Sequence, residues 1–317
     1  VCFGFCVIRP RRTVVLFVLL SGLRRSVAPS RKVRKKEVRM NHTQTPQPLF
    51  LSSRQNEAVV RAAKLHDKKG RSAAGLFCFE GIKLFSEALQ SGLRLCAVFY
   101  TEQAQNAASA LFAKLPRDCA LYCVSESVYE KLSLERAPQG VFIVAEDLPL
   151  VRRADKYIPQ PGEGAPRVFL ADSLQDAGNV GTLIRTASAL GFARLCFCGS
   201  AELTNPRTLR AAMGALFRQR IDLCSDMARY IASLRACGAH VYAAMPRRGA
   251  AMLGKTAFPQ GTVFLVGNEG HGLPDSLVDA CDGTVQIPMA PHSESLNAAT
   301  AAALLLWESV RGEVSLC

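Results

Sequence analysis

The sequence predicts an α/β fold, with a C-terminal parallel sheet carrying helices on both faces, preceded by a smaller α/β unit. Three observations predict it. From residue 52 onward, short apolar runs alternate with amphipathic segments, which is the pattern of repeated strands and helices. The alternation breaks at 148–166, where four prolines, two glycines and mixed charges read as a linker. The chain has 317 residues and is 49% hydrophobic, enough for two domains with buried cores.

The first unit reads in order. Residues 56–69 form an amphipathic helix with Val59, Val60, Ala63 and Leu65 on its apolar side. A buried strand at 76–79 turns at Glu80-Gly81 into a helix at 82–90 that Gly92 stops. A strand at 95–100, a helix at 102–115, a strand at 120–124, a short helix at 126–132 and a strand at 140–145 complete it. After the linker, strands at 168–171, 195–198, 240–244, 262–266 and 284–287 alternate with helices at 180–190, 206–214, 227–237 and 274–280. A long alanine-rich helix at 296–310 closes the chain and is apolar on more than one side through Leu304, Leu305, Leu306 and Trp307. A helix apolar nearly all round needs burial on several sides.

Residues 1–39 stand apart. They hold 11 of the 39 lysines and arginines against one acid, Glu37, and so carry +10 of the formal +13. The rest of the chain carries only +3, so the basic balance is weak evidence for nucleic-acid binding by the folded body. Translation is expected to start at Met40, with 1–39 an over-extended gene reading. A basic RNA-binding arm or a targeting segment are the alternatives. The apolar run at 14–20 is far shorter than the ~20 residues of a membrane helix. No membrane partner and a cytoplasmic location are expected. The twelve cysteines lack the spacing of a disulfide framework. Cys196 and Cys198 lack the partners that would complete a zinc site, so free thiols and no metal are expected.

Three stretches carry chemistry. The first, 172–191, leaves a strand and turns through Gly178 and Gly181 into a helix bearing Asn179 and Arg185. Ligands collect at the carboxyl ends of strands in such sheets. Asn179 and Arg185 are about 600° apart on a helix, so Asn179 must sit in the loop or first turn for both to serve one site. The second, 263–274, runs from an apolar strand into Gly267-Asn268-Glu269-Gly270-His271-Gly272, richer in glycine and polar groups than a plain turn requires. The third, 287–300, joins a strand end through Pro288-Met289 to Ser293, Ser295, Leu296 and Asn297 at a helix start, where either serine is a natural cap.

In this order, the three stretches resemble the motifs of SpoU-type RNA 2′-O-ribose methyltransferases, of the SPOUT superfamily. They read D-x-x-x-D-A-G-N-V-G-T-L-I-R-T-A, V-G-N-E-G-H-G-L and I-P-M-x-x-x-x-E-S-L-N-A-A-x-A. Upstream, F-x-x-E-G-x-x-L at 77–84 and Gln139-Gly140-Val141 resemble the substrate-binding domain of members that act on ribosomal RNA, itself similar to a ribosomal-protein fold. The resemblance covers about 50–312. It implies an RNA substrate-binding domain at 50–147, a linker at 148–166 and a methyltransferase domain at 167–312. It also implies a C-terminal trefoil knot, which chain-connection rules alone would not suggest. The cofactor implied is S-adenosylmethionine, held largely by backbone groups at Leu265, Gly267, Gly270, Ile287, Met289, Ser295, Leu296 and Asn297. The partners implied are RNA, most of all ribosomal RNA, and a second copy of the chain. One departure is Ala177, where the family usually has proline.

The resemblance places catalysis on Arg185, Asn179, Glu269, Ser295 and Asn297. Arg185 matches the arginine assigned to activating the ribose hydroxyl. Neutralising an arginine at pH 7 costs roughly 7 kcal/mol. A clamp on the neighbouring phosphate and on developing oxyanion charge is therefore the better role. Asn179 and Asn297 are expected to orient it or the ribose, and Glu269 to pair with an arginine. A transfer-RNA methyltransferase and a non-catalytic RNA-binding ribosome-assembly protein are the alternatives. A nucleotide-dependent oxidoreductase lacks its Gly-x-Gly-x-x-Gly.

Overall fold

The computed structural model describes residues 47–154, 167–293 and 295–311, so the expectation for 1–39 lies outside the described residues. The N-terminal lobe is a five-stranded sheet in the order β1 (Leu49–Leu51), β4 (Ala120–Val124), β3 (Leu95–Thr101), β5 (Val141–Ala145), β2 (Phe77–Glu80). β1, β4 and β3 run parallel, while β5 is antiparallel to β3 and β2. Helices α1 (Glu57–Ala63) and α5 (Glu126–Leu132) bury one face with Phe99, Phe142 and Val144. Helices α3 (Ile82–Ser91) and α4 (Gln105–Phe112) bury the other with Val98, Tyr100 and Ile143.

The helix expected over 56–69 breaks. Asp67 is extended and α2 (Lys68–Ala74) starts after it. The cause is Arg71, whose Nη1 donates to the carbonyls of Leu65 and His66 at 2.9 and 2.7 Å and so takes up acceptors freed at the break.

The C-terminal lobe is an eight-stranded sheet, parallel throughout. Its order is β11 (Ala251–Met252), β13 (Gly283–Gln286), β10 (His240–Ala244), β12 (Thr262–Val266), β7 (Val168–Asp172), β8 (Arg194–Cys198), β9 (Arg220–Cys224), β6 (Val151–Arg153). The strands read as near-continuous apolar runs because both faces are covered. Phe169, Ala171, Leu195, Phe197 and Phe264 meet α6 (Ala177–Ala189), α7 (Pro206–Ala212) and α10 (Ala298–Val310). Val168, Leu170, Cys196, Val263 and Leu265 meet α8 (Met227–Ala236) and α9 (Asp275–Ala280). The chain leaves β12 on the α9 side, returns through β13 beyond β10, and crosses to the α10 side, where α10 packs on α6 and β12.

The stretch expected to be a linker begins as β6, the edge strand beside β9. A fully buried carboxylate, Asp222, fixes it there by accepting from Arg152 at 2.7 Å, Arg194 at 3.4 Å and the Tyr230 hydroxyl at 2.8 Å. The two lobes share one apolar core, in which Phe79 meets Phe217 with ring centroids 5.1 Å apart. Around that core, buried Arg71 pairs with Glu202, Arg210 with Glu135 and Arg218 with Glu87. Among the described residues, no helix is long and apolar enough to cross a membrane.

Candidate active site

The three stretches meet at the carboxyl ends of β7, β12 and β13. Beyond β7, Ser173 takes a left-handed backbone with φ +55°. For a residue with a side chain this costs on the order of 1–3 kcal/mol. Four bonds hold it: its N–H donates to Cys198 at 2.7 Å, its hydroxyl donates to Asp172 at 2.9 Å, and its carbonyl accepts from the side-chain amides of Asn268 at 2.8 Å and Gln175 at 3.2 Å. Asn268 also accepts from the N–H groups of Gly270 and His271 at 2.9 and 3.0 Å, which closes the 268–272 hairpin. Sequence reasoning passed over Asn268; an Asn two residues before glycine is the signal for such a side-chain-closed turn.

Glu269 is the junction. Its carboxylate accepts from the N–H groups of Gln175 and Asp176, both at 3.1 Å, and from the Asn179 amide at 3.0 Å. The Asn179 carbonyl accepts in turn from the Asn297 amide at 2.9 Å. One hydrogen-bonded chain thus joins all three stretches. Asn297 accepts from Ala299 and Thr300 at 3.0 and 3.2 Å and caps α10. This corrects two expectations. The cap is Asn297 rather than Ser293 or Ser295, so the helix begins at Ala298. Glu269 binds backbone and amide donors rather than an arginine, because the α6 entrance brings N–H groups to it first.

Burial alone would raise the Glu269 carboxyl, but the Asn179 amide and the loop N–H groups outweigh it and hold the carboxyl below its usual range. A lowered folded value means the junction is fully formed above the ordinary carboxyl value of about 4.3 and fails as pH drops through the lowered one. Amide exchange at Gln175 and Asp176, followed from about pH 6 down to 3, should show protection lost at the acid end. Glu269→Gln should show weak protection throughout. Equal protection in the variant would discard the junction.

The other expected residues fall into distinct settings. Asn179 lies in the first turn of α6, as the spacing required, with Asp176 accepting its N–H at 2.8 Å. Arg185 is about 9 Å further along α6 and roughly 120° around it. Its side chain is exposed and makes no hydrogen bond or ion pair with a described residue. Gly267 fits because a Cβ there would come within 2.5 Å of the Gly272 carbonyl, while Gly270 stands open. Leu265 is core, with its backbone in the ladder beside Leu170 and Ala243. Ile287 is half-buried, and Ser295 is exposed. Gly181 does not face a ligand: a Cβ would meet the Thr208 carbonyl at 2.5 Å and Ala211 at 2.6 Å, where α6 crosses α7.

Met289 and Leu296 are 36% and 38% exposed in one loop, and neither makes a backbone hydrogen bond to a described residue. Exposed apolar side chains beside unengaged peptide groups suit a purine and an amino-acid tail, so the loop fits S-adenosylmethionine. Among the described residues, no group of three His, Cys, Asp or Glu could hold a metal. The nine described cysteines are free thiols.

Polar loops gathered at the carboxyl edge of a parallel sheet, beside a helix that carries an exposed arginine, mark the ligand-binding edge of an α/β enzyme. Residues 166–307 match the SpoU rRNA Methylase family and residues 56–143 the MRM3-like substrate binding domain. The chain is 31% identical over 260 residues to a 23S rRNA (guanosine(2553)-2′-O)-methyltransferase of Bacillus subtilis, covering 81% of this chain and 97% of that one. It is 28% identical over 287 residues to a 23S rRNA (uridine(2479)-2′-O)-methyltransferase of Streptomyces viridochromogenes, covering 86% and 95%. The AdoMet-bound rRNA methyltransferase of Sinorhizobium meliloti superposes with a TM-score of 0.73 at 29% identity, covering 84% of this chain and 99% of that one. The chain belongs to the SpoU rRNA methylase family. The fold of this family implies a C-terminal trefoil knot.

Proposed function

We propose that this protein methylates a ribose 2′-hydroxyl in ribosomal RNA, using S-adenosylmethionine. The observation that carries the reading is the chain Glu269–Asn179–Asn297, which ties the three motif stretches together at one sheet edge. The cofactor supplies a methyl group already activated on a sulfonium. The protein must therefore place the hydroxyl oxygen in line and stabilise its developing negative charge. Arg185, exposed on α6, is the group for that charge and for the adjacent phosphate, and its planar fork suits both. Asn179 and Asn297 hold each other and so fix the loops around the ribose. Ser295 lies in the same loop as the cofactor-binding residues and offers a hydroxyl to either substrate. Ala177, buried at the start of α6, leaves the helix entrance intact despite the family's usual proline.

The test is transfer of labelled methyl groups to ribosomal RNA fragments, with transfer RNA in parallel. Label on ribosomal RNA that is lost when the target ribose is 2′-deoxy supports the reading. Label only on transfer RNA, or none, overturns it. Action on the ribosome's RNA, together with the free thiols, also supports a cytoplasmic location.

The working unit we propose is a homodimer. Leu304 and Trp307 remain 40% and 46% exposed on α10, while Leu305, Leu306 and Val310 of the same helix are buried. Two large apolar side chains on a helix that also borders the site call for a covering surface. Light scattering at micromolar concentration should give twice the chain mass, and Trp307→Glu should give the monomer. A wild-type monomer would end the proposal.

A further inference from the structure

Between the lobes lies a cleft of about 670 Å³, walled by α2 and the start of β2, by 147–153, and by the loop 200–204. We propose that this cleft carries the ribose–phosphate backbone of the substrate RNA to one side of the target nucleotide, with Arg153 and Arg207 as its phosphate-binding residues. The proposal rests on the RNA-methylation reading above and adds to it a path and two positioning residues.

Four observations support it. The cleft opens at the carboxyl ends of β8, β9 and β6, the same edge of the sheet that carries the site. Its wall is bonded to the catalytic loop. The Leu174 N–H donates to the Ser200 hydroxyl at 3.2 Å, the Ala201 N–H donates to the Leu174 carbonyl at 2.7 Å, and the Gln175 side chain donates to the Gly199 carbonyl at 2.9 Å. A strand lying against 200–204 is therefore led to Gln175 and Asp176, next to Glu269 and Asn179.

The arginines also divide by role. Arg71 is 4% exposed and committed to Glu202, and Arg152 is held by Asp222, so these two build the walls. Arg153 is exposed on the cleft and makes no ion pair with a described residue. Arg207, on α7 just past the 200–204 wall, lies outside the cleft lining and reaches toward the catalytic loop, with a side chain 67% exposed and a long 3.7 Å approach to Asp176. Both can turn to a phosphate at little cost, whereas the wall arginines cannot. Finally, the acids of the cleft are Glu202, neutralised by Arg71, and Asp147. With Arg152 held by Asp222, the charges left in the lining are Arg153 and Asp147, so a phosphate would be drawn by the exposed arginine itself rather than by net charge.

The experiment uses the full chain, ribosomal RNA fragments and three variants: Arg153→Glu, Arg207→Gln, and Arg229→Ala on α8 as a control for lost positive charge. Arg153→Glu and Arg207→Gln should weaken RNA binding about 3- to 10-fold. Each should flatten the slope of log affinity against log salt by about 0.7, the value for one phosphate contact on a single strand. KM for RNA should rise more than kcat falls. S-adenosylmethionine affinity and melting temperature should stay at wild-type values, and Arg229→Ala should match wild type throughout. If the wild type binds and methylates RNA while both variants keep its affinity and salt slope, the cleft proposal fails and the methylation reading stands. If the wild type neither binds nor methylates RNA, both fail together.

Discussion

Replacing Arg185 with alanine is expected to lower methyl transfer by on the order of 10²-fold or more while leaving S-adenosylmethionine affinity nearly unchanged. The reason is positional. Arg185 lies along α6, away from the loops of β12 and β13 that fit the cofactor, and it is bonded to none of them. Removing it takes away charge stabilisation at the oxygen without disturbing the Glu269 junction. Arg185→Lys should recover little, because an ammonium is a point charge and cannot span phosphate and oxyanion as a planar fork does. Asn297→Ala is the contrasting variant. It uncaps α10 and breaks the bond to Asn179, so cofactor affinity and transfer should fall together. Calorimetric binding beside single-turnover methylation separates the cases. Wild-type transfer by Arg185→Ala would move the catalytic role to Glu269 or Ser295.

Gly181→Ala should destabilise the C-terminal lobe. The added carbon would sit 2.5 Å from the Thr208 carbonyl and 2.6 Å from Ala211, both on the neighbouring helix. Helix α7 must then back away from α6, and α7 also packs on β2 of the other lobe. Overpacking of this kind costs about 1–3 kcal/mol. At about 2–4 °C per kcal/mol, the melting temperature should fall by several degrees. Gly270→Ala, whose added carbon meets only Asn268 at 3.6 Å, should melt near the wild type. If Gly181→Ala instead keeps its melting temperature and loses cofactor, the glycine serves a ligand and the helix-crossing account is wrong.

Gly181 also shows what the sequence could and could not convey. From the sequence it reads as a turn glycine at a helix entrance, and only the packing of α6 on α7 shows its use at a helix crossing. The buried strands at 168–171, 195–198, 240–244 and 262–266 were legible, because strands covered on both faces are apolar along their whole length. Strands β1, β6, β9 and β11 were not. They are short or lie near an edge, and β9 carries Asp222 in its middle, a charge that looks exposed until its three donors are seen. The break before α2 was invisible because it depends on Arg71 reaching back to Leu65 and His66. In the site, the residue types were readable from the motifs. Their connections were not: which acceptor Glu269 would become, and which residue would cap α10, depend on loops far apart in the chain. The knot belongs to the same group, since local pattern favours an ordinary sheet and only the family implies it.

The continuous core between the lobes bears on how such enzymes can be re-targeted. A recognition module joined by a loose tether could be exchanged like a cassette. Here Phe79 sits against Phe217, Arg71 is committed to Glu202, and a Cβ on Gly214 would run into Glu87 at 2.6 Å. Grafting a different RNA-reading lobe onto this methyltransferase would therefore require transplanting the 202–218 surface with it, or redesigning both sides of the seam together.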